Sequence, residues 1–293
     1  MSRVQEPYRD EAIAITPRDV QFDWDGVPLH YLPGEALVTH VFNAMHLTLP
    51  EGERAMAQGL SEALPLIADE RLREEVIGFI GQESMHAGAH EGVHAHLEQL
   101  GLPVAPLVGR IEWLVDTFLS GHGLTGRARH AWLCERLGLY AAMEHYTAIL
   151  GQWVLDADHL EELGMHPMML DLIRWHGAEE VEHRNVAFDA YMYVDGSYAR
   201  RARTALVGSA MLGILFVATT GYLYANDPSP DKGRWWPRQL GSAMARGVIP
   251  TGLHFLSEIP VYLKPSFHPS QMGPLDKALR YLAVSPAANG HAH

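Results

Sequence analysis

The sequence predicts an all-α protein: a four-helix bundle with a di-metal core, an extended N-terminal arm and extra C-terminal helices. Three observations carry this expectation. No segment sustains the alternating pattern of a strand, whereas several long segments keep a helical period. Two of those segments carry an E-x-x-H pair on the apolar stripe, Glu83 with His86 and Glu180 with His183. Two others offer an inward glutamate, Glu53 and Glu144. Four glutamates and two histidines distributed in this way over four helices are the inventory of carboxylate-bridged di-iron and di-manganese sites.

Composition sets outer bounds. A chain of 293 residues is long enough for one large helical domain or two average ones. With 22 basic against 35 acidic residues, formal charge −13, it lacks the basic excess of a nucleic-acid-binding surface. Its 18 histidines raise the expectation of metal ligation. Cys134 is the single cysteine, so an intramolecular disulfide and a thiolate cluster are excluded. The polar start, Met1 to Glu6, does not read as a signal peptide, and a cytoplasmic protein is expected.

In chain order, residues 1–33 are polar and dotted with Pro7, Pro17, Pro28 and Pro33, which predicts an extended arm laid over the body. Residues 34–195 form the di-metal bundle. Ala36 to Leu47 reads as a short helix, and Pro50 as the first residue of a second one running to Leu66. Asp69 is the N-cap and Gly101 the stop of a long helix whose inward stripe is Leu72, Val76, Phe79, Glu83, His86, His90 and Leu97. Val104 to Leu119 connects. Arg127 to Leu155 carries Leu133, Leu137, Tyr140, Glu144, Ala148 and Gly151 on one face, with Glu135 opposite and solvated. Pro167 opens a helix expected to run to about Val194.

Residues 196–284 are read as C-terminal helices packed on the bundle within the same domain. Thr204 to Ala225 has no charged residue and is long enough to cross a bilayer, but Gly208, Ser209, Gly213, Thr219, Thr220 and Gly221 moderate its hydrophobicity. A buried core helix or a peripheral membrane contact fits it better than a span. Residues 285–293 are expected to be a disordered tail.

The decisive stretch is His176 to His183. At about 100° per residue, His183 falls about 60° to one side of Glu180 and His176 about 40° to the other, so all three share one arc. Glu179 and Glu182 point elsewhere, and Glu179→Ala is expected to leave metal binding intact. The arc continues through Ile173, Ala187 and Tyr191, so it faces a core. A carboxylate buried there without a partner is costly, and a metal ion is the simplest compensation. One E-x-x-H in a helix is commonly a surface pair; two on apolar stripes, with two single glutamates in matching order, are a site. The expected metal ligands are Glu53, Glu83, His86, Glu144, His176, Glu180 and His183. Glu51 competes with Glu53 until the helix start is fixed. His176 either adds a third nitrogen or orients a ligand carboxylate. His90, Tyr140 and Tyr191 are read as orienting or pocket residues, and His94 and His145 as exposed.

At these residues the sequence resembles a bacterial family, the predicted metal-dependent hydrolases, related to the ferritin-like superfamily. The resemblance spans Asp23 to Leu282 and rests on Leu49-Pro50-Glu51-Gly52-Glu53, Phe79 to His86 followed by His90, Glu144-His145, Trp175 to His183, and Phe267-His268-Pro269. It implies a ferritin-like bundle and favours Glu53 over Glu51. Where the family is commonly aromatic after the Gly-Glu pair, this chain has Arg54-Ala55-Met56-Ala57. The H-x-x-x-E-x-x-H order of His176, Glu180 and His183 is also similar to that of the di-iron arylamine N-oxygenases, whose other ligands match Glu53, Glu83, His86 and Glu144 in order.

The resulting expectation is a non-haem di-iron oxygenase that uses dioxygen to oxidise a small, apolar organic substrate. Two iron ions are the expected cofactor, with manganese or zinc compatible, and an oxygenase would need an electron donor. The alternative is a di-metal hydrolase of an ester or amide that uses a metal-bridging water. A ferritin-like iron store ranks last, because the C-terminal helices would obstruct cage assembly. Nucleic acid is not an expected partner; a homodimer and a membrane contact through 204–225 stay open.

Overall fold

A computed structural model describes residues 14–229 and 236–290. The elements are α1 (Ala36–Ala63), α2 (Glu70–Gln99), α3 (Ala105–Leu119), α4 (Gly126–Asp156), α5 (His159–Glu162), α6 (Pro167–His183), α7 (Val186–Val194), α8 (Tyr198–Asn226), α9 (Trp236–Ala245), α10 (Gly252–Tyr262) and α11 (Asp276–Leu282). Short 3-10 turns complete them, and the described residues include no strand. The helices form a bundle in which α1 packs along α2 and α4 along α6. Helix α8 lies across α1 and α4, and α11 rests on α6.

Helix α2 begins as its sequence predicts: Asp69 Oδ1 accepts the Leu72 N–H at 2.9 Å, and Gly101 follows the helix with φ +85°. Helix α1 does not stop at Leu47. It runs straight through Pro50 as one helix of 28 residues. Proline removes the N–H that would bond the carbonyl four residues back. That carbonyl belongs to His46, and His94 Nε2 of α2 donates to it at 2.7 Å. The donor lost in one helix is replaced from the next, and His94 is therefore partly buried and engaged rather than exposed.

The helix expected from Pro167 to Val194 is divided. Its ladder breaks at Arg184 and Asn185, immediately after His183, and Arg184 reaches across to the Gly273 carbonyl. Helix α8 departs from the buried-core alternative: in its most apolar 18-residue window the mean hydropathy is 1.8 and only 17% is buried. Leu206, Val207, Met211, Ile214 and Val217 are exposed along it. Glu135 is not simply solvated; it pairs with Arg200 and Arg203 of α8. The tail is ordered through Gly290. Asp171 Oδ1 accepts from Tyr281 and Ser285 at 2.7 and 2.8 Å, and Oδ2 accepts the Ala287 N–H at 2.9 Å. Of the expected disordered tail, 291–293 lie outside the described residues.

Helices α4 and α6 cross backbone on backbone at Gly151 and Gly177. A Cβ on Gly151 of α4 would lie 2.3 Å from the Gly177 carbonyl oxygen, and one on Gly177 would lie 2.8 Å from the Gly151 Cα. Neither obstacle is a side chain that can rotate away. Gly177→Ala should therefore destabilise the fold by about 1–3 kcal/mol through overpacking. The helix-propensity gain of about 1 kcal/mol would cancel only the low end of that range, and because both obstacles are fixed backbone the upper part applies. Urea unfolding checks the sign, and a variant as stable as the parent would refute the close crossing.

Candidate metal centre

Four helices bring the expected ligands together: α1 supplies Glu53, α2 supplies Glu83 and His86, α4 supplies Glu144, and α6 supplies His176, Glu180 and His183. All seven are buried, at 4% exposure or less. Two groups of ligand atoms each lie within 4.8 Å of one another: Glu53, His86, His176 and Glu180, and Glu83, Glu180 and His183. Glu180 belongs to both. Glu144 joins the second group, with its Oε1 3.1 Å from His183 Nε2. Phe79 and Trp175 close the site on two sides, 4.7 Å from the His183 ring and 5.1 Å from the His86 ring. Glu51, the competitor of Glu53, faces Arg54 instead.

The donor set fits metal ions on a direct observation. Both oxygens of Glu53, Glu83 and Glu144, together with Glu180 Oε2, His86 Nδ1 and His183 Nε2, are buried without a hydrogen-bond partner. Buried polar atoms are ordinarily paired, and unpaired ones are costly. Here they converge on two points. The opposite nitrogen of each imidazole is anchored, as metal-ligating histidines require. His86 Nε2–H donates to Glu179 Oε2 at 2.9 Å, His183 Nδ1–H donates to Gln82 Oε1 at 3.0 Å, and His176 Nδ1 lies 2.8 Å from His90 Nε2.

These anchors give Glu179 and Glu182 partners that their helical angle does not reveal. Glu179 and Glu182 lie off the ligand arc, yet they do not meet solvent: every residue from Trp175 to His183 is buried. The N-terminal arm covers that side. Arg18 donates to Glu179 Oε1 at 2.7 Å and to the two Glu182 oxygens at 2.8 and 2.9 Å. Gln82 Nε2 also donates to Glu182, at 2.8 Å. The arm can approach because α2 presents glycine where it lands. A Cβ on Gly78 would lie 2.2 Å from the Ile15 carbonyl oxygen, and one on Gly81 would lie 2.1 Å from Pro17.

His90 continues inward as a string of imidazoles. Its Nδ1 lies 2.9 Å from Nδ1 of His46 on α1, whose Nε2 has no hydrogen-bond partner. Burial drives His46 down to about 3, and burial with neighbouring histidines holds His90 well below its ordinary value, so both are neutral. If His176 turns Nε2 to the metal, its Nδ1–H donates to His90 and the His90 Nδ1–H donates to His46.

The two tyrosines read as pocket residues have these surroundings. Tyr191 is committed by its hydroxyl to Asp195 and the Ser197 carbonyl beyond α7. Tyr140 packs its ring against Gly59 of α1. His145, expected to be exposed, is 1% exposed and packed among Tyr146, Tyr262 and Phe267.

Electrostatics follow from burying four carboxylates together. Burial, and then the Glu180 charge, raises Glu53 to about 8 and Glu144 to about 7. Glu83 is raised well above its usual range by the same two causes. Burial acts against charge on His86 and His183 but is outweighed by adjacent carboxylates, and both are raised. Glu180 is held well below the usual range, because His176 and His183 outweigh its burial. Groups raised in the folded state bind protons more tightly there than in the unfolded chain. Their stabilisation is complete below their unfolded values and is lost as pH rises through the folded ones. The metal-free protein should therefore melt at a lower temperature at pH 8 than at pH 5.5. Metal should abolish the difference by displacing the protons. Scanning fluorimetry with and without chelator checks this; a metal-free melting temperature that rises over this interval would contradict it.

The sequence comparisons agree with a metal-binding reading. A family model described as predicted metal-dependent hydrolase matches residues 16–273. No curated protein and no solved structure gives a significant match.

Proposed function

The chain belongs to the predicted metal-dependent hydrolase family, and from that membership and the buried cluster we propose that it is a two-metal hydrolase of an ester or amide. The observation that carries the metal reading is the convergence of unpartnered carboxylate oxygens and imidazole nitrogens on Glu180. Glu53, His86 and His176 would hold one ion and Glu83, Glu144 and His183 the other, with Glu180 shared. Four carboxylates balance two divalent cations in charge, which removes the cost of burying them. Two such ions would acidify a shared water and polarise a carbonyl. The chain's own part is positional: Glu179 and Gln82 fix the rings of His86 and His183, the His90–His46 pair fixes His176, and Phe79 and Trp175 exclude bulk water.

A second reading, a di-iron oxygenase, is favoured by burial. With every ligand exposed by 4% or less, dioxygen is small enough to reach the site, whereas an ester must open it. The ligand order along the chain, one glutamate, E-x-x-H, one glutamate, E-x-x-H, is also that of ferritin-like carboxylate proteins. It supports this reading by analogy.

One comparison separates the two. Metal-free protein is loaded anaerobically with zinc, manganese or ferrous iron and assayed against chromogenic esters and anilides. The ferrous form is then exposed to oxygen while visible absorbance and oxygen uptake are followed. Hydrolysis that needs metal and disappears in Glu180→Ala supports the proposal. No metal-dependent cleavage, together with stoichiometric oxygen uptake by the ferrous form, overturns it in favour of the second reading.

A further inference from the structure

A second cluster of ligand-type residues lies outside the seven-residue centre. His30 from the arm, His40 from α1 and Asp227 just past α8 bring one ligand atom each within 4.8 Å of one another. His30 Nε2 is 2.8 Å and His40 Nε2 3.0 Å from the same oxygen, Asp227 Oδ2. The His40 and Asp227 side chains are fully buried, and His30 is 22% exposed. Two imidazoles that aim the same nitrogen at one carboxylate oxygen match ligands around a single ion. With bonds of about 2.0–2.2 Å to zinc in a tetrahedron, ligand atoms lie about 3.3–3.6 Å apart, so the 2.8 and 3.0 Å contacts would open by a few tenths of an ångström to admit an ion.

The surrounding bonds suit this arrangement. Asp227 Oδ1, the other carboxylate oxygen, accepts the Ser229 N–H at 2.8 Å, which orients the carboxylate. His40 Nδ1 faces the side-chain amide of Asn43 at 3.4 Å, and that amide faces the Tyr31 hydroxyl at 3.0 Å. The oxygen and nitrogen of an amide are assigned from such networks. With the Asn43 oxygen toward His40, the His40 Nδ1–H donates to it. The amide nitrogen then donates to Tyr31 Oη, and the tyrosine O–H donates to the Thr39 carbonyl at 3.2 Å. In that arrangement His40 Nε2 carries no proton and faces Asp227 Oδ2 acceptor to acceptor, a contact that an ion between them would satisfy and the state a ligating imidazole needs; with the amide turned the other way, His40 Nε2–H donates to Asp227 and the three residues form a hydrogen-bonded tie.

We propose that His30, His40 and Asp227 bind one divalent transition-metal ion of the zinc class, which clamps the arm to α1 and to the end of α8. The site shares no residue with the Glu180 centre and does not depend on the function assigned to it. Its role is structural: an ion that binds only the folded chain stabilises that chain.

Zinc is the probe. Metal-free wild type, Glu180→Ala, and Glu180→Ala combined with His30→Gln are titrated with zinc against a chromophoric chelator, and each is melted with and without zinc. His30 is chosen because it is partly exposed and its replacement spares the core; Asp227→Asn in the same background is the second variant. Glu180→Ala should keep one zinc and gain melting temperature from it. His30→Gln should weaken that zinc by more than the about 10–100-fold that follows loss of a residue which merely orients a ligand. If Glu180→Ala binds no zinc, or binds it equally with His30→Gln and with Asp227→Asn, the three residues form a hydrogen-bonded tie and the proposal fails. Neither result bears on whether wild type holds two ions around Glu180.

Discussion

Glu180→Ala should empty both positions of the central site, reducing bound metal by two equivalents and abolishing metal-dependent turnover. Glu180 is the one residue in both ligand groups, so its loss removes a ligand from each ion together with the charge that holds His176 and His183. His176 Nε2 lies 2.7 Å from Glu180 Oε1, and without that carboxylate it loses its partner. The affinity loss should exceed the about 100-fold upper range for residues that only orient ligands. Metal analysis after chelator washing reads it, with circular dichroism to verify the fold. A variant that retained two tightly held ions would show that the ligands lie elsewhere.

The second large effect is expected at a residue that touches no metal. Glu179→Ala should weaken metal binding by about 10–100-fold, because Glu179 holds His86 by its Nε2–H and is itself held by Arg18 and by Trp175 Nε1 at 3.2 Å. The folded protein keeps Glu179 below the usual carboxylate range, since His86 and Arg18 outweigh its burial. Glu179→Gln keeps an acceptor for His86 but removes the charge that Arg18 needs, so it should lie between parent and alanine. Arg18→Ala should have a smaller effect in the same direction. Metal competition titrations rank the four proteins. Equal affinity in parent and Glu179→Ala would return Glu179 to the bystander role that its helical angle implies.

The difference between the helical angle and the structure shows how far the sequence could be read. Glu83, His86, Glu144, Glu180 and His183 stand on regular helices with a clear apolar stripe, and three- and four-residue spacing suffices to place them on one side. Glu179 and Glu182 were out of reach, because spacing within α6 does not reveal that an arm more than 150 residues earlier covers its other face. The signs were glycines, Gly78 and Gly81, which the periodicity treats as neutral. His46 was hidden for a different reason. Pro50 reads as a helix start, which leaves His46 on a separate helix with no fixed angle to Glu53. Once α1 is continuous, His46 and Glu53, seven residues apart, share a face. Proline rules describe a chain alone; here a side chain of α2 supplies the missing donor.

The order of residues 285–290 and the exposure of α8 were hidden from the sequence for related reasons. Residues 285–290 look featureless in sequence, but Asp171, buried on α6, collects Ser285 and Ala287 and so orders them. Helix α8 has a composition that suits a core position and a membrane contact alike. Its place on the outside of α1 and α4 depends on packing among distant segments, which local hydropathy does not encode.

Two ions are proposed to sit on either side of Glu180. Anomalous diffraction from crystals of manganese- or iron-loaded protein tests this most directly. Two anomalous peaks are expected in the interior flanking the Glu180 carboxylate, one against Glu53, His86 and His176 and the other against Glu83, Glu144 and His183. A single peak, or none among these seven residues in protein that carries the metal, would contradict it.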